Sequence, residues 1–271
     1  MSLVETDWLD QNLNDVKVID CSWHMPQTKR VGFEEYKKVH IPNAIFFDLD
    51  KNSKKNTSLP HMLVEKTDWE EIVSKMGIKN DDKIIIYDNS DVISSCRCWF
   101  NFIYFGHNSE MVHVLNGGLK KWIKEKRKIT EDLKKIEISE YKGSENKELI
   151  KNMIMIDQNI DTQEFKVIDA RSRERFEGKI PEPRENLRSG NIKNSLCLPF
   201  NECLNDDKTF KNKKDLQMIF DAYIKNRQEV EIVFSCGSGV TACVLALAYS
   251  LINDKYRPCI YDGSWAEYGK I

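Results

Sequence analysis

The sequence predicts an α/β protein of two tandem domains, each a mainly parallel sheet flanked by helices. Three observations carry that expectation. The chain has 271 residues, enough for two domains of ordinary size, each with its own core. The same order of features occurs twice at a nearly constant offset. "VKVID", ending at Asp20, recurs as "FKVID", ending at Asp169; "KIIIYDNS" (Lys83–Ser90) recurs as "EIVFSCGS" (Glu231–Ser238); "VHVLNGGLKKW", ending at Trp122, recurs as "RPCIYDGSWAEY", ending at Tyr268. Within each copy, short β-branched runs alternate with helical patterns, the arrangement of a buried parallel sheet.

In the first copy the runs Val16–Ile19, Ile84–Tyr87 and Val112–Leu115 predict strands; in the second, Val167–Ile168, Glu231–Ser235 and Cys259–Tyr261 do. "TDWEEIVSKMG" has helical spacing, with Thr67 suited to cap it, Glu70 three residues on, and Gly77 to end it. "KKDLQMIFDAYIK" has the same spacing in the second copy. Residues 125–149 are charged and poor in long apolar patterning, which predicts a linker between domains at 1–124 and 150–271. A cleft between two such domains is a natural place for a small-molecule site.

Composition narrows the function classes. Hydrophobic residues make up 41% and charged residues 31%, with a net charge of −2. That is the profile of a globular chain with no reason to bind nucleic acid or an anionic membrane. No apolar run approaches the roughly 18 residues of a membrane helix. The start, "MSLVETDWLDQNL", is acidic and amphipathic, without the basic region of a secretory signal or the arginines of a transit peptide. A cytoplasmic location is expected, with mitochondria as the alternative. The eight cysteines show neither C-x-x-C nor zinc-ligand spacing, so they are expected to be reduced, mostly as small core residues, with no metal and no cofactor.

One cysteine stands apart. In "IVFSCGSGVTACVLALAYSLI" a β-branched run ends at Cys236, small residues follow, and an apolar stretch begins. A thiolate is the useful nucleophile, and a strand-end cysteine whose chain curls into a helix N-terminus gains inward N–H groups and the positive end of the helix dipole. Gly237 and Gly239 permit the curl, and Thr241 is suited to cap the helix. Gly237, Ser238, Gly239, Val240 and Thr241 would thus cradle a sulfur anion. A phosphatase loop needs arginine after five residues, where this chain has Ala242. At the matching place in the first copy stands Asp88, so sulfur chemistry is expected only in the second.

"CGSGVTACVLALA" followed by "YDGSW" resembles the active loop and closing motif of the two-domain rhodanese family, and within it the 3-mercaptopyruvate sulfurtransferases. "SWHMP", "HIPNAIFFDLD", "LPHML", "LNGGLKKW", "DARSRERFEG" and "PEPRENLRSG" extend the likeness over nearly the whole chain. The resemblance implies tandem rhodanese-like domains with the catalytic cysteine only in the second. It maps two substrate-binding arginines onto Arg175 and Arg184, guanidinium forks suited to a carboxylate and a carbonyl. It also implies a proton relay of Ser238, His61 and Asp50. Arg171, Arg173 and Arg188 fit salt bridges better, Arg97 a tie between domains, and His24, His40, His107 and His113 structural places. Asp262 and Gly263 fit scaffold. The chain departs from the family pattern at "HIPNA" and at "GNIKN", where Asn191, Lys193 and Asn194 replace usual residues; both are turns away from the sulfur site.

The implied activity moves sulfur from 3-mercaptopyruvate through a Cys236 persulfide to thioredoxin, low-molecular-weight thiols or cyanide, releasing pyruvate. Thiosulfate is the alternative donor. Neutral Gly237 and Ser238 after the cysteine favour mercaptopyruvate, because family members preferring the thiosulfate dianion tend to carry basic residues there. A non-enzymatic rhodanese-like binding module is the alternative of another class.

Overall fold

The computed structural model describes residues 2–224 and 231–271. It contains two five-stranded sheets. In the first, β1 (Leu3–Val4), β2 (Lys17–Asp20), β3 (Ala44–Phe46), β4 (Ile84–Tyr87) and β5 (Val112–Leu115) lie in the order β1-β5-β4-β2-β3. In the second, β6 (Ile150–Lys151), β7 (Phe165–Asp169), β8 (Leu196–Cys197), β9 (Glu231–Ser235) and β10 (Ile260–Tyr261) lie in the order β6-β10-β9-β7-β8. All these pairings are parallel. Replacing each strand by its counterpart turns one order into the other, so the blocks repeated in the sequence are repeated topology.

Helices α1 (Thr6–Asn12), α2 (Gly32–Lys38), α3 (Lys66–Lys75), α4 (Ser95–Tyr104) and α5 (Gly118–Lys124) accompany the first sheet. The second has α6 (Met153–Thr162), α7 (Arg173–Phe176), α8 (Lys213–Asp221), α9 (Thr241–Ser250) and α10 (Ser264–Tyr268). None among the described residues is long and apolar enough to cross a membrane. The chain divides into two compact units: Met1–Lys55, Leu63–Asn146 and Asp206–Thr209 form one; Asn56–Met62, Lys147–Asn205 and Phe210–Ile271 form the other. Two short segments therefore belong with the unit that their place in the sequence does not suggest.

Parallel strands covered on both faces read as continuous apolar runs. Ile84, Ile85 and Ile86 are all fully buried. Ile85 joins Val18, Tyr36, Leu115, Leu119 and Trp122 in one core, while Trp69 stacks on Phe105 at 4.8 Å between ring centres. In the second unit Val233 packs with Ile156, Phe165, Val167, Tyr261 and Trp265. Helix α9 is buried from Ala242 to Tyr249, as its all-apolar sequence requires.

Several local expectations need correcting. α3 starts at Lys66 with Glu65 in the N-cap position, so Thr67 lies inside the first turn and caps nothing. Gly77 follows that helix at φ +66°, and a Cβ there would meet the Glu137 carbonyl oxygen at 2.6 Å. α8 stops at Asp221, and Lys225, the last residue of its predicted span, lies outside the described residues.

The stretch 125–149 is irregular but not free, for it packs along the first unit as far as Asn146. Thr130 and His40 exchange backbone hydrogen bonds, Ser144 N–H donates to Phe105 O at 2.8 Å, and buried Tyr141 stacks on His107. A few anchors hold an extended arm without a repeating apolar pattern, which is why periodicity gave no sign of them. At the departures from the family pattern, Asn43 and Asn194 adopt φ +66° and +64°. Asparagine is among the few side chains that tolerate this left-handed geometry, so each turn is kept without glycine.

Candidate active site

The site begins where β9 ends. Cys236 follows Ser235 directly and is 1% exposed. Beyond it Gly239 takes φ +74° and Val240 a right-handed helical conformation. Successive left- and right-handed residues turn their N–H groups to one side, forming an anion nest, and the first amides of a helix have no partner within it. Thr241 does not act as the cap: it is the first helical residue, and the N-cap position is Val240, whose side chain cannot accept. The helix start is thus left without a side-chain cap, as an anion cradle requires.

A second segment grips the cysteine's backbone. Ser264 Oγ accepts from Cys236 N–H at 3.2 Å and donates to Tyr261 O at 2.8 Å. Trp265 N–H donates to Cys236 O and Ala266 N–H to Gly237 O, both at 2.9 Å. Gly263 is needed because a Cβ there would overlap the Glu267 carboxylate, which accepts from Tyr261 O–H. "YDGSW" is therefore a brace for the loop. Sequence reasoning missed the parts of Ser264 and Trp265, since nothing in their spacing indicates a bond back to residue 236.

Two guanidinium groups border the loop. Arg175, on α7, donates from Nε and Nη2 to Glu182 at 3.3 and 2.5 Å. Arg184 Nη2 donates to Ser238 Oγ at 3.1 Å. A Cβ built on Gly237 would stand 3.1 Å from Arg175 Nη2 and 3.6 Å from Arg184 Nη1. His61 Nδ1 lies 3.1 Å from Ser238 Oγ, and both residues are buried. A guanidinium only donates. The serine oxygen therefore accepts from Arg184, while its bond to His61 Nδ1 runs in the direction set by the imidazole tautomer. His61 adopts φ +61°, an uncommon value that fixes its approach to Ser238.

The second unit thus brings together Cys236, the loop from Gly237 to Thr241, Arg175, Arg184 and His61. Asp50 belongs to the first unit, where both carboxylate oxygens stand 3.0 Å from Trp23 Nε1. There too lie Arg97, fully buried, and the four other histidines, also buried: His40 bonds Tyr36 O, His107 bonds Asp82 O, and His24 meets Glu35. The first unit's own strand-end residue, Asp88, accepts from Ser90 and Ser95 N–H at 2.8 and 2.9 Å. Its carboxylate thus takes up the N–H of the first residue of α4.

Arg171 is salt-bridged, as expected, but with a fully buried side chain between Asp169 and Glu182. Arg173 pairs with Glu202 at the surface, and Arg188 lies over the Trp265 ring. Burial pushes the thiols of Cys197 and Cys203 up to about 12.

The geometry over Gly237 predicts a separable defect. Gly237→Ala meets only the ends of long side chains, which can yield, so its melting temperature is expected to stay within about 3 °C of wild type. The displaced guanidiniums should raise KM for the sulfur donor by about tenfold. Steady-state kinetics beside a thermal melt checks this; unchanged KM would place the arginines away from the donor.

The comparisons agree with this architecture. The model of the rhodanese-like domain matches residues 5–125 and 154–270. Thiosulfate/3-mercaptopyruvate sulfurtransferase 1, mitochondrial, of Arabidopsis thaliana is 36% identical over 293 residues, covering 98% of this chain and 75% of that one. The 3-mercaptopyruvate sulfurtransferase of Mus musculus is 33% identical over 275 residues, covering 98% and 91%. Among solved structures, SseA from Escherichia coli, described as a 3-mercaptopyruvate sulfotransferase, superposes with a TM-score of 0.87 at 30% identity, covering 98% of this chain and all of that one. With its repeated parallel sheets and the match in both halves, the chain belongs to the rhodanese family, as a sulfurtransferase with two tandem rhodanese-like domains.

Proposed function

We propose that the chain takes sulfur from 3-mercaptopyruvate onto Cys236 as a persulfide, releases pyruvate, and passes the sulfur to a thiol such as thioredoxin or a low-molecular-weight thiol, or to cyanide. The observation that carries this reading is the convergence of Arg175 and Arg184 on Gly237, one residue from Cys236. A 2-keto acid offers a carboxylate and a carbonyl to two such forks, and the carbonyl gains negative charge as sulfur leaves.

The Cys236 thiolate attacks the donor's sulfur. The sulfur–sulfur bond forms as the carbon–sulfur bond breaks, and its electron pair moves into the enolate of pyruvate. The proton of the donor thiol is returned to the former sulfur-bearing carbon through Ser238 and His61. The persulfide's outer sulfur lies among the loop amides until an acceptor thiolate or cyanide removes it, restoring Cys236. The kinetics are ping-pong. On this reading the chain works in a reducing compartment, the cytoplasm or the mitochondrial matrix, where thiol acceptors are kept reduced.

Thiosulfate is the rival donor. Beyond the two arginines, the residues following the cysteine are neutral Gly237 and Ser238, which favours a keto acid over a small dianion. Comparing kcat/KM for the two donors tests the choice: mercaptopyruvate should lead by about tenfold or more. A preference for thiosulfate would overturn the assignment of donor.

A further inference from the structure

We propose that Glu182 is a positioning residue for donor binding, and that it decides which edge of the Arg175 guanidinium faces the donor. The proposal rests on the sulfurtransferase reading above. The Glu182 side chain is 1% exposed and ionically bound to two arginines. Oε1 accepts from Arg171 Nη1 at 2.7 Å and from Arg175 Nε at 3.3 Å, while Oε2 accepts from Arg175 Nη2 at 2.5 Å.

A guanidinium offers a carboxylate two bidentate edges, Nε with Nη2 and Nη1 with Nη2. Glu182 occupies the first. Nη1 of Arg175 has no hydrogen-bond partner among the described residues, and it stands 4.0 Å from the place of a Cβ on Gly237. The terminal edge is therefore the one available to the donor. Without Glu182, either edge could turn toward the loop, and the side chain would lose the anchor that limits its rotamers.

Glu182 is itself fixed to the sheet. Arg171 donates from Nε and Nη2 to Asp169, the last residue of β7, and from Nη2 to Gly190 O at 2.8 Å. The Arg171 guanidinium lies 4.4 Å from the centre of the Trp265 ring, and Trp265 N–H holds Cys236 O. A continuous line of contacts runs from β7 through Arg171 and Glu182 to Arg175, and a branch reaches the nucleophile's backbone. Both groups that must meet the donor are thereby referenced to one rigid support. The line also balances charge, with two guanidiniums facing two carboxylates. Removing the charge of Glu182 makes the site more cationic, which suits a dianion better than a keto acid.

The experiment is a double-mutant cycle of Glu182→Gln and Arg175→Lys, with KM, kcat and melting temperature read for each. Glu182→Gln is expected to raise KM for mercaptopyruvate about tenfold and to change kcat by less than about threefold. It should also shift the ratio of kcat/KM toward thiosulfate. In the Arg175→Lys background the same change should have almost no further effect, because its route to the donor is already gone. A merely structural role would multiply with Arg175→Lys and leave the donor ratio alone; that result, or an unchanged KM, overturns the proposal. Should Glu182→Gln fail to fold, Glu182→Asp decides: it keeps the buried charge but draws the carboxylate back from Arg175, so the same rise in KM and the same masking by Arg175→Lys are expected, without the shift toward thiosulfate, and an unchanged KM overturns the proposal. Wild-type loading of one sulfur on Cys236 by mercaptopyruvate, read by mass spectrometry, separates the two claims. No loading sinks the donor assignment; loading with unaltered KM in both variants sinks the role of Glu182 alone.

Discussion

Cys236→Ser is expected to take up no sulfur from either donor and to lose transfer by about 10⁴-fold or more while remaining folded. A serine oxygen cannot carry the transferable sulfur that a persulfide holds, and its proton is far harder to remove than that of a thiol. The fold should tolerate the change because the bonds that hold residue 236 involve its backbone: N–H to Ser264 Oγ, and C=O from Trp265 N–H. The other cysteines offer poor substitutes. Cys197 is only half-buried, yet its thiol is pushed up to about 12 by burial, which leaves a thiolate fraction of about 10⁻⁵ at neutral pH. Cys21 and Cys259 are likewise raised by burial, and Cys243 sits inside α9 with its sulfur against Gly239 O at 3.2 Å. Mass spectrometry after donor treatment, with pyruvate release, checks this. An adduct on the variant would mean that another group carries the sulfur.

Much of this fold was legible because duplication repeats the same signal. β4, β5 and β9 have the bounds that their β-branched runs predict. β1, β6 and β8 are two residues long, too short for any period, and exist only because a neighbouring strand's edge pairs with them. The cysteine loop was readable since a strand end, two glycines and an apolar helix are all local. Its partners were not. Ser264 lies far along the chain from Cys236, and its bond depends on the parallel pairing of β10 with β9. Glu182 was in view inside "PEPR", and a signal did exist: an acid in so arginine-rich a segment has cationic partners close by. Sequence alone could not say that it would be buried and shared between two of them. The membership of residues 56–62 in the second unit is equally invisible, since nothing in "NTSLPHM" separates it from what precedes it.

The two copies of the motif ending in "VID" differ in a way that should make the first unit sensitive to pH. Asp169 has Arg171 two residues on, whereas the matching neighbour of Asp20 is Ser22. Asp20 is 1% exposed and accepts from Ser22 N–H at 2.9 Å. Burial, against which hydrogen bonds from Ser22 and Tyr87 act only partly, lifts its carboxyl from an ordinary 3.8 to about 7, and nearby Asp88 adds to the rise. A carboxyl with a raised value in the folded state binds its proton more tightly there than in the unfolded chain. The stability it contributes is fully present below about pH 4 and is lost as pH rises to about 7, so unfolding free energy falls across that window. A shift of this size corresponds to about 4 kcal/mol. Asp20→Asn keeps an acceptor for Ser22 N–H and removes the charge. It is expected to match wild type near pH 4, to exceed it by a few kcal/mol above pH 7, and to lessen the slope between, the buried Asp88 carboxyl, also raised, keeping its own share. Urea-unfolding midpoints across that range measure the effect, and parallel slopes in the two proteins would show that Asp20 is not the group responsible. Because Cys236 and both arginines belong to the other unit, the variant is expected to load sulfur on Cys236 as wild type does, which separates a gain in stability from any change in the chemistry.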